Sequence, residues 1–227
     1  TSGYSDATVI VLDSIGEWET VTIWEGKGDK LTKVFAQDYP DSVGLWYSAM
    51  TQRVGLKPNE DEYILMGMSA YGDVRKHYHH MRETFFELGP HDHWTFPEVR
   101  FKHNLHRGCK WYLEGYTKWS DKLNIAAATQ SIYEDVFAGL VEYCSKKYKS
   151  KNLVIMGGCA LNCKANSKAT AYYKNVWIMP NPGDAGSSVG AVLAHKRKHI
   201  KWENPYLGYK IDKEYPVDEL FRELKDK

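Results

Sequence analysis

The chain has 227 residues, 43% of them hydrophobic and 26% charged, proportions ordinary for a globular protein with a sizeable core. Its 30 Lys and Arg against 29 Asp and Glu leave a formal net charge of +1. No global field therefore draws it toward nucleic acid or a membrane surface, and neither is expected as a partner. No apolar run approaches the ~18–20 residues that span a bilayer, no sorting peptide is expected from the first residues, and the cysteines at 109, 144, 159 and 163 form no paired framework. The expected compartment is the cytoplasm. The first residue is Thr1 rather than Met, which leads to the expectation that the natural protein starts upstream.

Ala7–Asp13 is a short apolar run rich in β-branched residues, which predicts a buried strand ending at an acid. Gly16 breaks the run. Trp18–Trp24 alternates as the second strand of a hairpin, and a third strand near Leu31–Tyr39 completes a meander. Ser42 is placed to cap an apolar helix that stops at Gly55. Pro58 to about Arg107 holds seven of the nine histidines and reads as a short helix or two followed by an irregular insertion.

From Ser120 to Tyr148 the pattern is strongly helical, with Ile125, Ala128, Ile132, Val136, Leu140 and Tyr143 on one stripe. Leu153–Met156 predicts a strand that runs into Gly157-Gly158 and a helix through Tyr172. Val176–Met179 predicts another strand, Pro180–Gly183 a loop, and the following residues a helix to about Lys198. Lys196-Arg197-Lys198 then reads as favourable charge at a helix end. The tail Trp202–Lys227 is expected to end in a short amphipathic helix. Meander, long helix and then β-α-β-α is the order of an α/β fold in which a meander extends a partly parallel sheet.

Three segments place acids, glycines and small polar residues at turns between elements. In LDSIGEW, residues 12–18, backbone N–H groups near Gly16 can hold phosphate oxygens and Asp13 can hold a cation. The bland alternative is a tight hairpin with an Asx-type turn. In MGGCALNCKAN, residues 156–166, a double glycine before a helix is a device for holding a nucleotide, and Asn162 and Asn166 would share a helix face. The alternative is a plain strand-to-helix turn. In PNPGDAGSSVGA, residues 180–191, Asp184 either caps a helix or supplies a second carboxylate opposite Asp13, with Ser187 and Ser188 as hydroxyl donors.

Together these segments resemble the O-carbamoyltransferase family, the nodulation-factor and antibiotic type, in order and spacing as well as wording. The hairpin Asp13-x-x-Gly16-Glu17-Trp18 is followed by KPNEDEYILMGMSAYG at 57–72 and NIAAATQSIYEDV at 124–136. GGCALNCKAN at 157–166 and PNPGDAGSSVGAVLAH at 180–195 complete the likeness. The resemblance implies part of a two-lobed actin-like ATPase domain, a ribonuclease-H-like α/β fold with mixed sheets, over residues 1–200. Residues 201–227 would lead toward a further domain that makes carbamoyladenylate from carbamoyl phosphate and ATP. It also implies transfer of the carbamoyl group to a hydroxyl of a small, sugar-like acceptor.

Carried over by position, Asp13 and Asp184 are the implied metal ligands. Ser14, Gly16, Gly183, Gly186 and Ser187 fall at the phosphates of ATP or carbamoyladenylate, Gly157, Gly158 and Asn162 at adenosine, and Glu17 is implied as a further nucleotide-binding residue. The implied metal is iron, but its two histidines belong to a His-x-x-x-His helix before Asp13, where this chain has no histidine. Two carboxylates alone favour a hard cation such as magnesium. Ile64 stands where relatives usually carry lysine, and Ser14 where Gly is common. The chain is thus expected to be a fragment, inactive alone.

Rival readings are a sugar-kinase-like phosphoryl transferase and a non-catalytic nucleotide-binding module on the same fold. Zinc at His77 and His80 lacks a cysteine pair with finger-like spacing, so these histidines read as surface or insertion residues. The cysteines read as buried free thiols, and the eight tryptophans, Trp18, Trp24 and Trp46 among them, as mostly core.

Overall fold

The computed structural model describes residues 1–201. Strands β1 (Asp6–Leu12), β2 (Glu19–Lys27) and β3 (Lys30–Asp38) form an antiparallel meander. Helices α1 (Val43–Arg53), α2 (Glu62–Met68) and α3 (Tyr78–Phe85) follow, then a small hairpin of β4 (Phe86–Glu87) and β5 (Arg100–Phe101). The long helix α4 (Trp119–Lys147) leads to β6 (Asn152–Met156), short α5 (Cys163–Asn166), β7 (Asn175–Ile178) and α6 (Asp184–Lys196). The main sheet is mixed, in the order β3-β2-β1-β6-β7, with β1, β6 and β7 mutually parallel.

Burial explains why these segments take these forms. β1 is central, and its Ala7, Thr8, Ile10 and Leu12 are all buried, as a strand covered on both faces requires. Ser42 caps α1 by accepting the Leu45 N–H at 3.0 Å. On α4 the stripe Ile125, Ala128, Ile132, Val136 and Leu140 is buried, while Tyr143 packs only partly against the core. The helix buries more than a stripe, however. Ala126, Ala127, Thr129, Gln130, Tyr133 and Phe137 are covered as well. No helix among the described residues is long and apolar enough to cross a membrane.

Several expectations need correcting. The stretch after Gly157-Gly158 is not one helix through Tyr172. A 3-10 turn at Gly158–Leu161 stops at Asn162, whose side chain accepts the Ala165 N–H at 3.0 Å and restarts the chain as α5, and a second 3-10 turn spans Ser167–Ala171. Asn162 and Asn166 therefore do not share a helix face; Asn166 is buried and donates to the Ala160 carbonyl at 2.7 Å. α6 ends at Lys196 because Arg197 turns left-handed, at φ 48°.

Trp46 is fully buried, but Trp18, at the hairpin tip outside β2, is 70% exposed, and Trp111 and Trp119 are exposed too. Cys109 and Cys144 are buried free thiols, whereas Cys163 lies at the surface. His77 is buried rather than at the surface, whereas His80 is exposed as expected. His77 precedes α3 and meets Tyr116 edge-on at 5.4 Å, and His80 stacks on Tyr112 at 5.5 Å. The proposed helix in the tail lies outside the described residues.

Candidate functional site

Because β1, β6 and β7 run parallel, their carboxyl ends open on one edge of the sheet, and the three glycine-containing turns leave from that edge side by side. In open α/β sheets this edge is where ligands bind. A cleft of about 460 Å³ lies there, lined by Asp13 and Ser14 after β1, Gly158, Cys159 and Asn162 after β6, and Asp184 at the start of α6.

Each turn is held by bonds the strands set up. Asp13 donates its N–H to the Thr20 carbonyl at 3.0 Å, and its Oδ1 accepts the Ser14 N–H at 2.7 Å. The hairpin closes at Gly16, whose N–H donates to the Glu19 carbonyl at 2.9 Å. Ser42 both caps α1 and donates to the carbonyls of Asp13 and Ser14, at 3.2 and 2.6 Å. Gly44 lies so close over that peptide that a Cβ would stand 2.7 Å from the Asp13 carbonyl oxygen. The Gly157 N–H donates to the Pro182 carbonyl at 2.9 Å, tying the second turn to the third. Gly157 itself has φ +89°, and a Cβ there would meet the Leu12 carbonyl oxygen at 2.0 Å, so no other residue fits. At Gly158 a Cβ would come within 3.2 Å of Asp13 Oδ1.

The eleven residues singled out in the sequence divide into groups. Asp13, Ser14, Gly158, Asn162 and Asp184 line the one cleft. Gly157 lies buried beneath it, Gly183 approaches the Gly158 Cα at the position a Cβ would take, 3.9 Å, and Gly186 is buried under the Asn181 carbonyl. Ser187 is exposed on α6. Gly16 and Glu17 face a separate hollow of about 510 Å³, next to Trp18, Glu19 and Asp38, which shares only Asp13 with the cleft. Asp184 is the first residue of α6 and caps nothing, for Gly183 occupies the cap and no side chain closes that helix end. The Gly186 N–H turns back to the Gly183 carbonyl at 3.0 Å, so this end offers a ligand the N–H groups of Asp184 and Ala185.

Burial raises the Asp13 carboxyl above its ordinary value, and the negative charge of Asp184 raises it further, against the opposing N–H groups of Ser14 and Gly158. Cys159 in the cleft wall has its thiol pushed up to about 12, by burial first and the Asp13 charge second, so it is no nucleophile at neutral pH. Among the described residues no group of three or more His, Cys, Asp or Glu could hold a metal ion.

The far wall comes from α1 and α2 and carries residues that the sequence reading left without a role. Glu62 Oε1 accepts from the Ser48 hydroxyl at 2.6 Å and the Asn59 N–H at 2.7 Å, and it lines the cleft with Tyr47, Tyr63 and Met66. Periodicity marks these only as helix residues. The segment at 57–72 was the available signal, since it recurs in the family wording.

The chain matches the family described as carbamoyltransferase N-terminus over residues 1–193. It belongs to that family. The chain is 31% identical over 224 residues to an uncharacterized protein of Synechocystis sp., covering 89% of itself and 35% of that protein. It is 29% identical over 237 residues to an uncharacterized protein of Methanocaldococcus jannaschii, covering 44% of it. Nodulation protein NolNO of Sinorhizobium fredii is 25% identical over 194 residues, which span 85% of this chain and 28% of that protein. The chain thus spans less than half the length of these relatives. The five residues lining the cleft and the glycines beneath them all fall within the 193 residues of the carbamoyltransferase N-terminal match.

Proposed function

We propose that this chain is the transfer domain of an O-carbamoyltransferase, in which the cleft holds carbamoyladenylate and a hydroxyl of a sugar-like acceptor receives the carbamoyl group. The observation that carries this reading is the convergence of three turns, from the ends of three parallel strands, on one cleft in a member of the carbamoyltransferase N-terminal family. The sheet order, an antiparallel meander continued by two parallel strands, supports the actin-like reading of the fold. ATP and a domain that forms the adenylate belong to the longer protein in this proposal.

The roles follow from the residues. The uncapped first turn of α6 offers N–H groups and the positive end of a helix dipole to the phosphate. Gly158 leaves the space beside Asp13 in which the nucleotide can approach the backbone. Two carboxylates, Asp13 and Asp184, fit a hard divalent cation such as magnesium that also takes phosphate and water oxygens. They do not fit iron, which calls for imidazole that these residues lack. When bound, such a cation supplies positive charge against the charge developing on the leaving phosphate. In the transfer itself, the acceptor oxygen bonds to the carbamoyl carbon and AMP leaves with the bridging oxygen. The hydroxyl proton passes to a carboxylate of the cleft.

The test is mass analysis of a polyhydroxyl acceptor incubated with carbamoyl phosphate, ATP and a longer protein carrying this domain. A carbamoylated acceptor is expected, with most turnover lost on Asp184→Asn. A phosphorylated acceptor would instead assign the cleft to a kinase.

A further inference from the structure

Behind the cleft, α4 presents a side chain to which no role has yet been given. Gln130 is fully buried, and all of its hydrogen-bonding capacity is used. Its Oε1 accepts from the Tyr47 hydroxyl at 2.7 Å and from Asn162 Nδ2 at 3.0 Å. Its Nε2 donates to Asn162 Oδ1 at 3.0 Å and to Glu134 Oε1 at 3.1 Å. The two amides thus pair face to face. Glu134, one helical turn further along α4 and with its side chain only 12% exposed, receives Lys164 at 3.1 Å and Lys168 at 3.3 Å from the segment after β6.

The orientation of the Gln130 amide follows from charge. A carboxylate can only accept, so Nε2 must face Glu134 and Oε1 must face Tyr47. The Tyr47 hydroxyl then has to point its proton inward. Asn162 is equally committed, because its Oδ1 takes the Ala165 N–H as well as Gln130, and its Nδ2 is held by Gln130. Tyr47 and Asn162 both line the cleft, and Asn162 ends the Gly158–Leu161 turn, so this buried amide fixes that part of the cleft wall.

We propose that Gln130 is a positioning residue for nucleotide binding: through Asn162 and Tyr47 it holds the Gly158–Asn162 turn in the geometry that the nucleotide meets, with Glu134 fixing the polarity of the set. This inference rests on the nucleotide reading of the cleft. It also gives Asn162 a different part from that of an adenosine contact, since its amide serves the turn rather than the ligand. Three bonds at the front of the cleft depend on one residue at its back.

The experiment is calorimetric titration of the full chain with magnesium ATP, alongside circular dichroism as a check on folding. Gln130→Leu keeps the volume and removes every bond, and it should weaken ATP binding about tenfold or more, the loss expected from one to two uncompensated hydrogen bonds. Gln130→Glu places a second carboxylate against Glu134 and should weaken binding similarly. In a chain already carrying Asn162→Ala, Gln130→Leu should weaken binding by no more than about threefold further, because the residue through which it chiefly acts is gone. A general loss of packing would instead weaken binding by the same factor in both backgrounds. Unchanged affinity in Gln130→Leu, or the same loss with and without Asn162, overturns the positioning role. A parent chain that fails to bind ATP overturns the nucleotide reading, and the inference with it.

Discussion

The turns at the carboxyl ends of β1 and β6 and the aromatic layer between α3 and α4 hold their shapes by different means. In the first region the backbone does the work. Neighbouring strands bring Leu12, Gly157 and Pro182 together, and short bonds within and between turns set the side chains of Asp13 and Asp184 in the cleft wall. In the second region side chains do it. Phe85 is in contact with Tyr112 at 4.8 Å and Trp111 at 5.6 Å, Phe86 with Trp94 at 4.8 Å, and His80 stacks on Tyr112. The loop after Cys109 is pinned by Arg53, a buried guanidinium that donates to the carbonyls of Tyr112, Leu113 and Tyr116. A region built on backbone is intolerant of any added atom, and a region built on side chains is intolerant of any removed one.

That contrast can be broken first at Gly157. Gly157→Val puts a β-branched residue at φ +89° and into the Leu12 carbonyl, and should cost about 3 kcal/mol or more. Urea denaturation would read this as a lower midpoint at unchanged slope. A midpoint equal to the parent's would mean that the turn is softer than its geometry.

Arg53→Met is the counterpart in the aromatic layer. It leaves three carbonyls without their donor and Leu113 unsupported in its left-handed conformation at φ 51°, so it should cost about 2–3 kcal/mol. The local nature of the damage is checked by limited proteolysis, which should speed up between residues 107 and 118 while cleavage near Gly157 stays slow.

Asp13→Asn should act in the opposite direction. An acid whose carboxyl is raised on folding binds its proton more tightly in the folded state. Stability is therefore lost as pH rises from the ordinary 3.8 through the raised value, and the deficit is complete above it. Asparagine keeps an oxygen for the Ser14 N–H and carries no charge against Asp184. At neutral pH the variant should melt higher by a few degrees, at about 2–4 °C for each ~1 kcal/mol. The gain should shrink as pH falls toward the ordinary carboxylate range. A variant that melts lower at neutral pH would show that the carboxylate stabilises its turn.

The same division explains what could be read in advance. β1, β6 and α4 carry their reasons in local pattern: β-branched runs bounded by glycine, and a stripe at helical period. The turns were legible because glycine next to a strand end has few uses, and Asp13 and Asp184 stood out in them. Tyr47 and Glu62 were not legible as cleft residues, nor Gln130 as the support behind them, because each is held by partners 14 to 83 positions away in sequence. The segment after Gly158 misled for a related reason. Its composition is helical, but Asn162 is held by Gln130, and a residue held there cannot continue a helix. The layout of the histidines was equally hidden, since aromatic packing has no period.

Hydrogen exchange with and without magnesium ATP tests the account most directly, because it reads every turn at once. If the three turns form one nucleotide site, ATP should slow exchange together at residues 13–18, 157–162 and 180–187, and leave 78–116 unchanged. Protection confined to one turn, or appearing in the aromatic layer instead, would contradict a shared cleft.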